Sequence, residues 1–329
     1  MPSARGRYTH RKILVSALAL LGATGSPAAE PLRVVGYKPV LEMAPMLAAA
    51  ERMPAGTVTV ENGGIPSLWR GEKEVDGSAA NKAAPLPDLA GNAETQALRQ
   101  SVKHPDLRII LTVTEGNYRI VARKSSGIHD VRDLKGKRIA TSADTSAEFY
   151  LFKMLERVGL KPGDVTMVSL NTPKGANVVL DGSADAIAFW EPEPERVRQT
   201  LGKDATEFNE FGVYREIYNL NATAATLADP VKRKQVVAYV RTLIAACNDA
   251  TYQPAVTQQL VAKNSGHDLK YIEASWHHHH FPCALPTDLL DVLVDEEKWL
   301  AVKEKRAPRG RAALASLIDT SILAEARKD

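Results

Sequence analysis

Four short stretches carry side chains of the kind and spacing that hold small molecules. Thr145-Ser146-Ala147-Glu148 sits where an apolar helical pattern begins. Two readings fit it. One is a capping box, in which Thr145 and Glu148 satisfy the first exposed amides. The other is a helix end whose amides, dipole and Thr145 and Ser146 hydroxyls attract an anionic ligand. Phe189-Trp190-Glu191-Pro192 closes a run of strand character, which puts Trp190 and Glu191 at the carboxyl edge of a parallel sheet, where open α/β sheets hold ligands. The plain alternative is a core tryptophan beside a solvated glutamate. Asn62-Gly63-Gly64 follows another strand pattern, and its glycines admit either a ligand or an ordinary loop close to the backbone. Gly91-Asn92-Ala93-Glu94 opens a helical pattern with Asn92 placed to cap it.

The usual catalytic constellations are missing. The chain has no Gly-x-Ser-x-Gly elbow, no phosphate loop ending in Gly-Lys-Ser/Thr, no His-Glu-x-x-His and no Ser-x-x-Lys. No catalytic residue is therefore assigned. If the chain were an enzyme, Glu191, Glu94 and His267 would be its titratable candidates. His277 to His280 form a run of four. On a helix His277 would lie one turn from Glu273, with His280 near them, the outline of a surface metal site. No supporting acceptors adjoin the run, so a solvated face with adventitious metal affinity is the plainer reading, and no metal or cofactor is expected.

These residues must be held by a chain of 329 residues, long enough for about two globular units. Its hydrophobic content of 44% and charged content of 25% are those of a folded soluble protein. The first 28 residues account for the net charge of +3: Arg5, Arg7, Arg11 and Lys12 precede an apolar run, Ile13 to Ala23, and Ser26-Pro27-Ala28 supplies small residues for cleavage. Eleven helical residues rise only ~16 Å, about half a bilayer core, so the run reads as a Sec-type signal peptide and not as an anchor. Removing its four cations leaves −1, a charge that offers nothing to a nucleic-acid backbone. The expected address is the periplasm. Cys247 and Cys283 are free to pair there, although Cys247 also suits the apolar face of a helix as a buried thiol.

From Leu32 to Leu220 strand and helix patterns alternate, which predicts α/β architecture with largely parallel sheets. Strands are expected at Leu32–Tyr37, Thr57–Val60, Leu107–Val113, Tyr118–Arg123, Lys137–Ala140, Thr166–Leu170 and Ala186–Trp190. Helices are expected at Glu42–Arg52, Ser146–Val158 and around Asn177–Asp181. Beyond Asp229 the pattern is helical, with no convincing strand. Asp229 caps a helix carrying Pro230 at its first position, and Pro286–Lys305 and Gly310–Ala326 read as two more. An apolar residue followed by Asp-Gly-Ser-Ala occurs twice, at Val75–Ala79 and Leu180–Ala184, and together with the doubled strand–helix order it suggests two similar lobes.

The order Val131-Arg132-Asp133-Leu134-Lys135-Gly136-Lys137-Arg138-Ile139-Ala140, Thr145-Ser146, Gly159-Leu160, Val165, Gly182, Asp185-Ala186 and Trp190-Glu191-Pro192 resembles the second lobe of the NMT1-like solute-binding proteins. This is the sulfonate, nitrate and taurine family of ABC importers, with the type II periplasmic binding fold. The resemblance implies two α/β lobes, each a mostly parallel sheet flanked by helices, with the helical C-terminal region on the first. It divides the chain into residues 29–122 plus 222–329 and residues 123–221, with a hinge near 118–123 and 218–222. It implies a monomer that captures a small anionic or polar solute between the lobes and delivers it to an inner-membrane permease and its ATPase. The ligand contacts it implies are Tyr37, Lys38, Asn62, Asn81 and Asn92 from the first lobe and Thr145, Ser146, Trp190 and Glu191 from the second. The rivals are an enzyme on the same fold, acting on a pyrimidine-like or chorismate-derived precursor, and a sensory or metal-delivery module using the histidine run.

Overall fold

The computed structural model describes residues 30–74, 85–170, 175–210 and 212–328. Branched and small apolar residues recur in the strands β1 (Leu32–Gly36), β2 (Val58–Asn62), β3 (Leu89–Ala93), β4 (Leu107–Gly116), β5 (Arg119–Arg123), β6 (Arg138–Thr141), β7 (Thr166–Ser169), β8 (Ala186–Phe189), β9 (Ala205–Phe208) and β10 (Glu216–Thr223), and a short pairing of His279–His280 makes β11. They make two sheets, ordered β11-β4-β10-β3-β1-β2 and β7-β6-β8-β5-β9. In the first, β1 runs parallel to β2 and β3, whereas β10 lies antiparallel between β3 and β4. In the second, β6 runs parallel to β7 and β8, and β5 is antiparallel to β8 and β9.

The chain leaves the first sheet at Asn117-Tyr118, between β4 and β5, and returns to it between β9 and β10. Tyr118–Arg123, expected as a strand and as part of the hinge, is β5 but for Tyr118, and Tyr218–Ala222 lies within β10.

Each sheet has its own core. On one face of the first, Val34, Leu111, Val113 and Leu220 pack against the helices Ala44–Arg52 and Pro230–Tyr252. Asp229 caps the second of these by accepting from the Val231 and Lys232 amides at 2.8 and 2.9 Å. On the other face, Val35, Ile109 and Ile217 meet Leu98 and the apolar side of the helix Leu289–Lys303. The second sheet buries Ile120, Ile139 and Ile187 under Phe149, Leu151 and Met154 of the helix Ser146–Arg157. Cys247 and Cys283 are joined in a disulfide, with Cα atoms 6.1 Å apart, which ties the long helix to the segment whose Ala284 bridges Thr112 of β4. The pairing left open by the sequence is therefore formed.

Several expectations change. β3 and β9 were not foreseen, and Gly91-Asn92 belongs to β3. The helix after it, Glu94–Lys103, is capped by Ala93 with no side-chain bond, while Asn92 accepts from the Ala93 amide at 2.9 Å. The single helix expected over Gly310–Ala326 is two, Arg311–Ala315 and Ser321–Ala326. Between them the backbone turns away to bond Ile109, which donates to Leu317 at 2.7 Å and accepts from Asp319 at 2.9 Å. A strand edge in need of partners outcompetes one more turn of helix. The histidine run is not on one helix either: Trp276–His278 is a single 3-10 turn, and His279-His280 form β11 against Glu115 and Gly116 of β4.

Candidate functional site

The residues that end β1, β2 and β3 and those that begin the helices after β6 and β8 come to the same junction between the sheets. Tyr37 follows β1 and Trp190 follows β8; their rings meet edge to face, 6.3 Å apart, and Trp190 packs against both cores. The Trp190 ring also stacks on Phe189 at 3.7 Å. Beside Tyr37, the Lys38 amide donates to the Asn62 side-chain oxygen at 3.1 Å, which fixes the β1 and β2 ends to one another. Asn81 lies outside the described residues, as do the first Asp-Gly-Ser-Ala signature and the signal segment.

The glycines after β2 are filled by the protein itself. A Cβ on Gly64 would stand 2.8 Å from both the Asn92 amide nitrogen and a Glu74 oxygen, and one on Gly63 would stand 2.8 Å from Ser67 Oγ. Three further glycines clear room around two side chains that the sequence did not single out. A Cβ on Gly36 would crowd the Met43 sulfur and the Tyr218 hydroxyl, one on Gly91 would meet the Tyr218 ring at 2.9 Å, and one on Gly116 would meet Glu216 Oε2 at 2.9 Å.

At the start of the helix Ser146–Arg157, Thr145 is the cap. Its hydroxyl accepts from the Ala147 amide at 3.2 Å and donates to the Ser142 carbonyl at 2.8 Å. Glu148 turns back to the Asp144 amide at 2.6 Å, one residue earlier than a capping box requires. Ser146 is bonded to the Tyr118 hydroxyl at 3.0 Å, so the second lobe touches the crossing at this point. Asp144 and Glu148 also meet the first lobe: the Asp144 carbonyl accepts from Gln96 at 2.7 Å and Arg99 at 3.1 Å, and Lys303 pairs with both carboxylates. The Phe149 and Trp299 rings pack 4.9 Å apart alongside.

Glu191 is not a free ligand-facing group. It is 2% exposed and accepts from Arg119 Nε at 2.7 Å, while Arg119 also reaches Glu195 at 2.6 Å and Glu207 at 2.7 Å. Burial pushes the Glu191 carboxyl up against the pull of Arg119. Burial acts in the same direction on Glu195, but bonds from Arg198, Arg119 and Gln199 outweigh it and hold that carboxyl down at about 2. His267, the other candidate base, faces Glu193 at 3.6 Å, with both side chains buried.

Glu94 belongs to a group that the sequence barely announced. It accepts from the Tyr214 hydroxyl and, at 2.7 Å, from the Ile217 amide, and the Glu296 carboxyl lies against it. Glu216 in turn faces Glu42 and the Tyr118 hydroxyl. All four glutamates are 3% exposed or less. Burial, then the neighbouring carboxylates, push Glu216 and Glu296 well above the ordinary range, and burial raises Glu94 against the bonds it receives. Burial followed by Glu216 and Glu42 likewise raises the Tyr118 phenol. His279 stands beside Glu42, Nε2 to Oε1 3.5 Å, and burial takes the adjacent His278 down to about 3. A signal was there to be found. Glu42 interrupts the apolar run Leu41–Leu47, and Glu296 falls at the position between Leu289, Leu293 and Leu300 that helical spacing reserves for the core.

The NMT1/THI5-like family model matches residues 78–257, more than half of the chain. The chain belongs to the NMT1/THI5-like family. A protein of Bacillus subtilis (strain 168) described as aliphatic sulfonates-binding is 34% identical over 73 residues, which are 22% of this chain and 22% of that protein. The chain thus aligns with about a fifth of that relative's length. The alkanesulfonate-binding protein SsuA from Xanthomonas axonopodis pv. citri, bound to MOPS, superposes with a TM-score of 0.67 at 22% identity, covering 89% of this chain and all of that one. The desulfurization enzyme DSZB superposes with a TM-score of 0.58 at 16% identity, covering 91% of this chain and 99% of that one. At such identities the likeness establishes the periplasmic-binding fold, and the pair of them shows that the fold serves binding proteins and an enzyme alike.

Proposed function

We propose that this protein is the periplasmic solute-binding component of an ABC-type importer. It holds a small solute between two lobes and hands it, chemically unchanged, to a membrane permease driven by an ATPase. The observation that carries the reading is the contact of Tyr37 with Trp190 at the junction of two separately cored sheets joined by two crossings. The family membership and the sulfonate-binding relatives support it. The disulfide fits an oxidising compartment, as does a signal segment at 1–28.

In this reading β1 to β4 with β10, β11 and the helices after β10 form the first lobe and β5 to β9 the second, with Asn117-Tyr118 and the passage from β9 to β10 as the hinge. Tyr37, Asn62 and Asn92 line one wall, and Trp190 and Ser146 the other. Lys38 contributes its backbone, and Thr145 and Glu191 act indirectly, one by capping the helix and one by anchoring the Trp190 loop to Arg119. Solute bridging the lobes shifts the population toward the closed form that the permease recognises. We read no bond-making step: Glu191 is tied to Arg119, Glu94 to Tyr214 and Ile217, and His267 to Glu193.

The test is titration of the monomeric mature protein with sulfonates, nitrate, amines, amino acids and pyrimidines. Saturable heat, a rise in melting temperature and recovery of the solute unaltered are the expected results. Conversion of a bound compound by the protein alone would replace this reading with the enzymatic one.

A further inference from the structure

The sulfonate-binding relatives suggest an anionic ligand, yet the buried ionisable side chains gathered at this junction are carboxyls and phenols. Both carboxylate oxygens of Glu42, Glu216 Oε2 and both oxygens of Glu296 are buried without a hydrogen-bond partner. Among the described residues, no lysine or arginine pairs with Glu42, Glu94, Glu216 or Glu296. The Tyr218 hydroxyl, 3% exposed, points into the same space and is also without a partner, with the Tyr37 backbone beside it. Its oxygen too lacks a side-chain donor. Among the described residues His279 is the basic group paired with Glu42, and its other ring nitrogen is without a hydrogen-bond partner. Buried carboxyls facing one another need a donor between them, either a shared proton, as the raised Glu216 and Glu296 hold, or an N–H cation that takes its place.

We propose that this junction binds a small organic cation, whose ammonium or amidinium N–H groups donate to Glu42 and Glu216 while the rings of Tyr118 and Tyr218 enclose it. The inference rests on the solute-binding reading and names the charge class of its ligand. Glu42 and Glu216 belong to the first lobe, Tyr118 to the crossing, and its hydroxyl is bonded to Ser146 of the second. A cation seated there touches everything that has to move when the lobes close. Tyrosine faces attract such a charge, most strongly when it is desolvated. The groups that face it are Glu42, Glu216, Tyr118, Tyr218 and His279, with Glu94, Tyr214 and Glu296 behind. A bare metal ion fits less well, since no three His, Cys, Asp or Glu side chains among the described residues are arranged to hold one.

The experiment is thermal-shift and calorimetric titration of the mature protein with 1,4-diaminobutane, ethanolamine and guanidinium. The controls are neutral 1,4-butanediol, anionic ethanesulfonate and nitrate, and the divalent ions of magnesium, calcium and zinc. The expected result is saturable binding of an N–H cation at least tenfold tighter than its neutral counterpart. E42Q and E216Q should each weaken that binding tenfold or more. Without ligand, both variants should melt above the parent at pH 7.5, because each removes a buried carboxyl that no lysine or arginine compensates; a merely structural glutamate would give the opposite shift. Binding of anions or divalent metals with no organic cation bound overturns this inference and leaves the solute-binding reading standing. Failure of every probe, together with no solute in mass spectra of the natively purified protein, overturns both.

Discussion

Replacing Arg119 with methionine tests how the Trp190 loop is held. Arg119 is 2% exposed and reaches three carboxylates, so R119M keeps most of the volume and removes only the charge and the donors. Glu207 is half exposed and loses little. Glu195 keeps Arg198 at 2.6 Å and Gln199 at 2.7 Å. Glu191 is left with one weak bond, from the Glu195 amide at 3.2 Å, and carries the loss. Removing one partner of a buried pair costs about 3–5 kcal/mol. At ~2 °C per kcal/mol for a chain of this size, that lowers the melting temperature by ~6–10 °C.

The pH dependence has a definite sign. The Glu191 carboxyl is already raised by burial, and without Arg119 it rises further. The native variant then holds a proton that the unfolded chain has released, so its stability falls as pH rises through that window. The deficit of R119M against the parent should be small near pH 5 and full near pH 8. Adding E191Q removes the uncompensated charge and should recover more than half of the loss. Urea unfolding followed by circular dichroism at the two pH values measures all of this. A loss under ~1 kcal/mol at pH 7.5, or a deficit equal at both pH values, would refute the account of Glu191 as a buried partner of Arg119.

Other outcomes follow from the same geometry. Trp190→Ala should weaken solute binding by ten- to a hundredfold with a modest stability change, as read by calorimetry; an unchanged affinity would remove Trp190 from the site. Lys303→Met deletes the pairs with Asp144 and Glu148 that join the lobes, so small-angle scattering should show a more open ligand-free protein, and affinity should fall about threefold. Reducing the Cys247–Cys283 disulfide reopens a loop of 36 residues and should cost about 4 kcal/mol by the loop-closure relation, visible as a lower urea midpoint in C247S/C283S. Glu297 accepts from Arg306 and Arg309, whose bonds overcome burial and hold its carboxyl at about 2. That stability is present above the unfolded carboxylate value and lost as pH falls toward 2, so Glu297→Gln should flatten the acid limb of the stability profile.

The sequence by itself determined the elements whose signals are local. The branched runs of β1, β4 and β6, the Asp229-Pro230 start of the long helix and the Thr145 cap all rest on neighbours within four residues, and each lies where the pattern put it. The family order from Val131 to Pro192 was likewise legible, because it is a run of such local signals. Partnership across the chain was not. Glu191 was read as a ligand contact because its pairing with Arg119 spans 72 positions, and the helix expected over Gly310–Ala326 breaks because β4, two hundred residues earlier, needs partners. The carboxylates of Glu42, Glu94, Glu216 and Glu296 come from four separate elements, and nothing in any one of them declares the others. A buried charge is defined by what surrounds it, and only the folded chain supplies the surroundings.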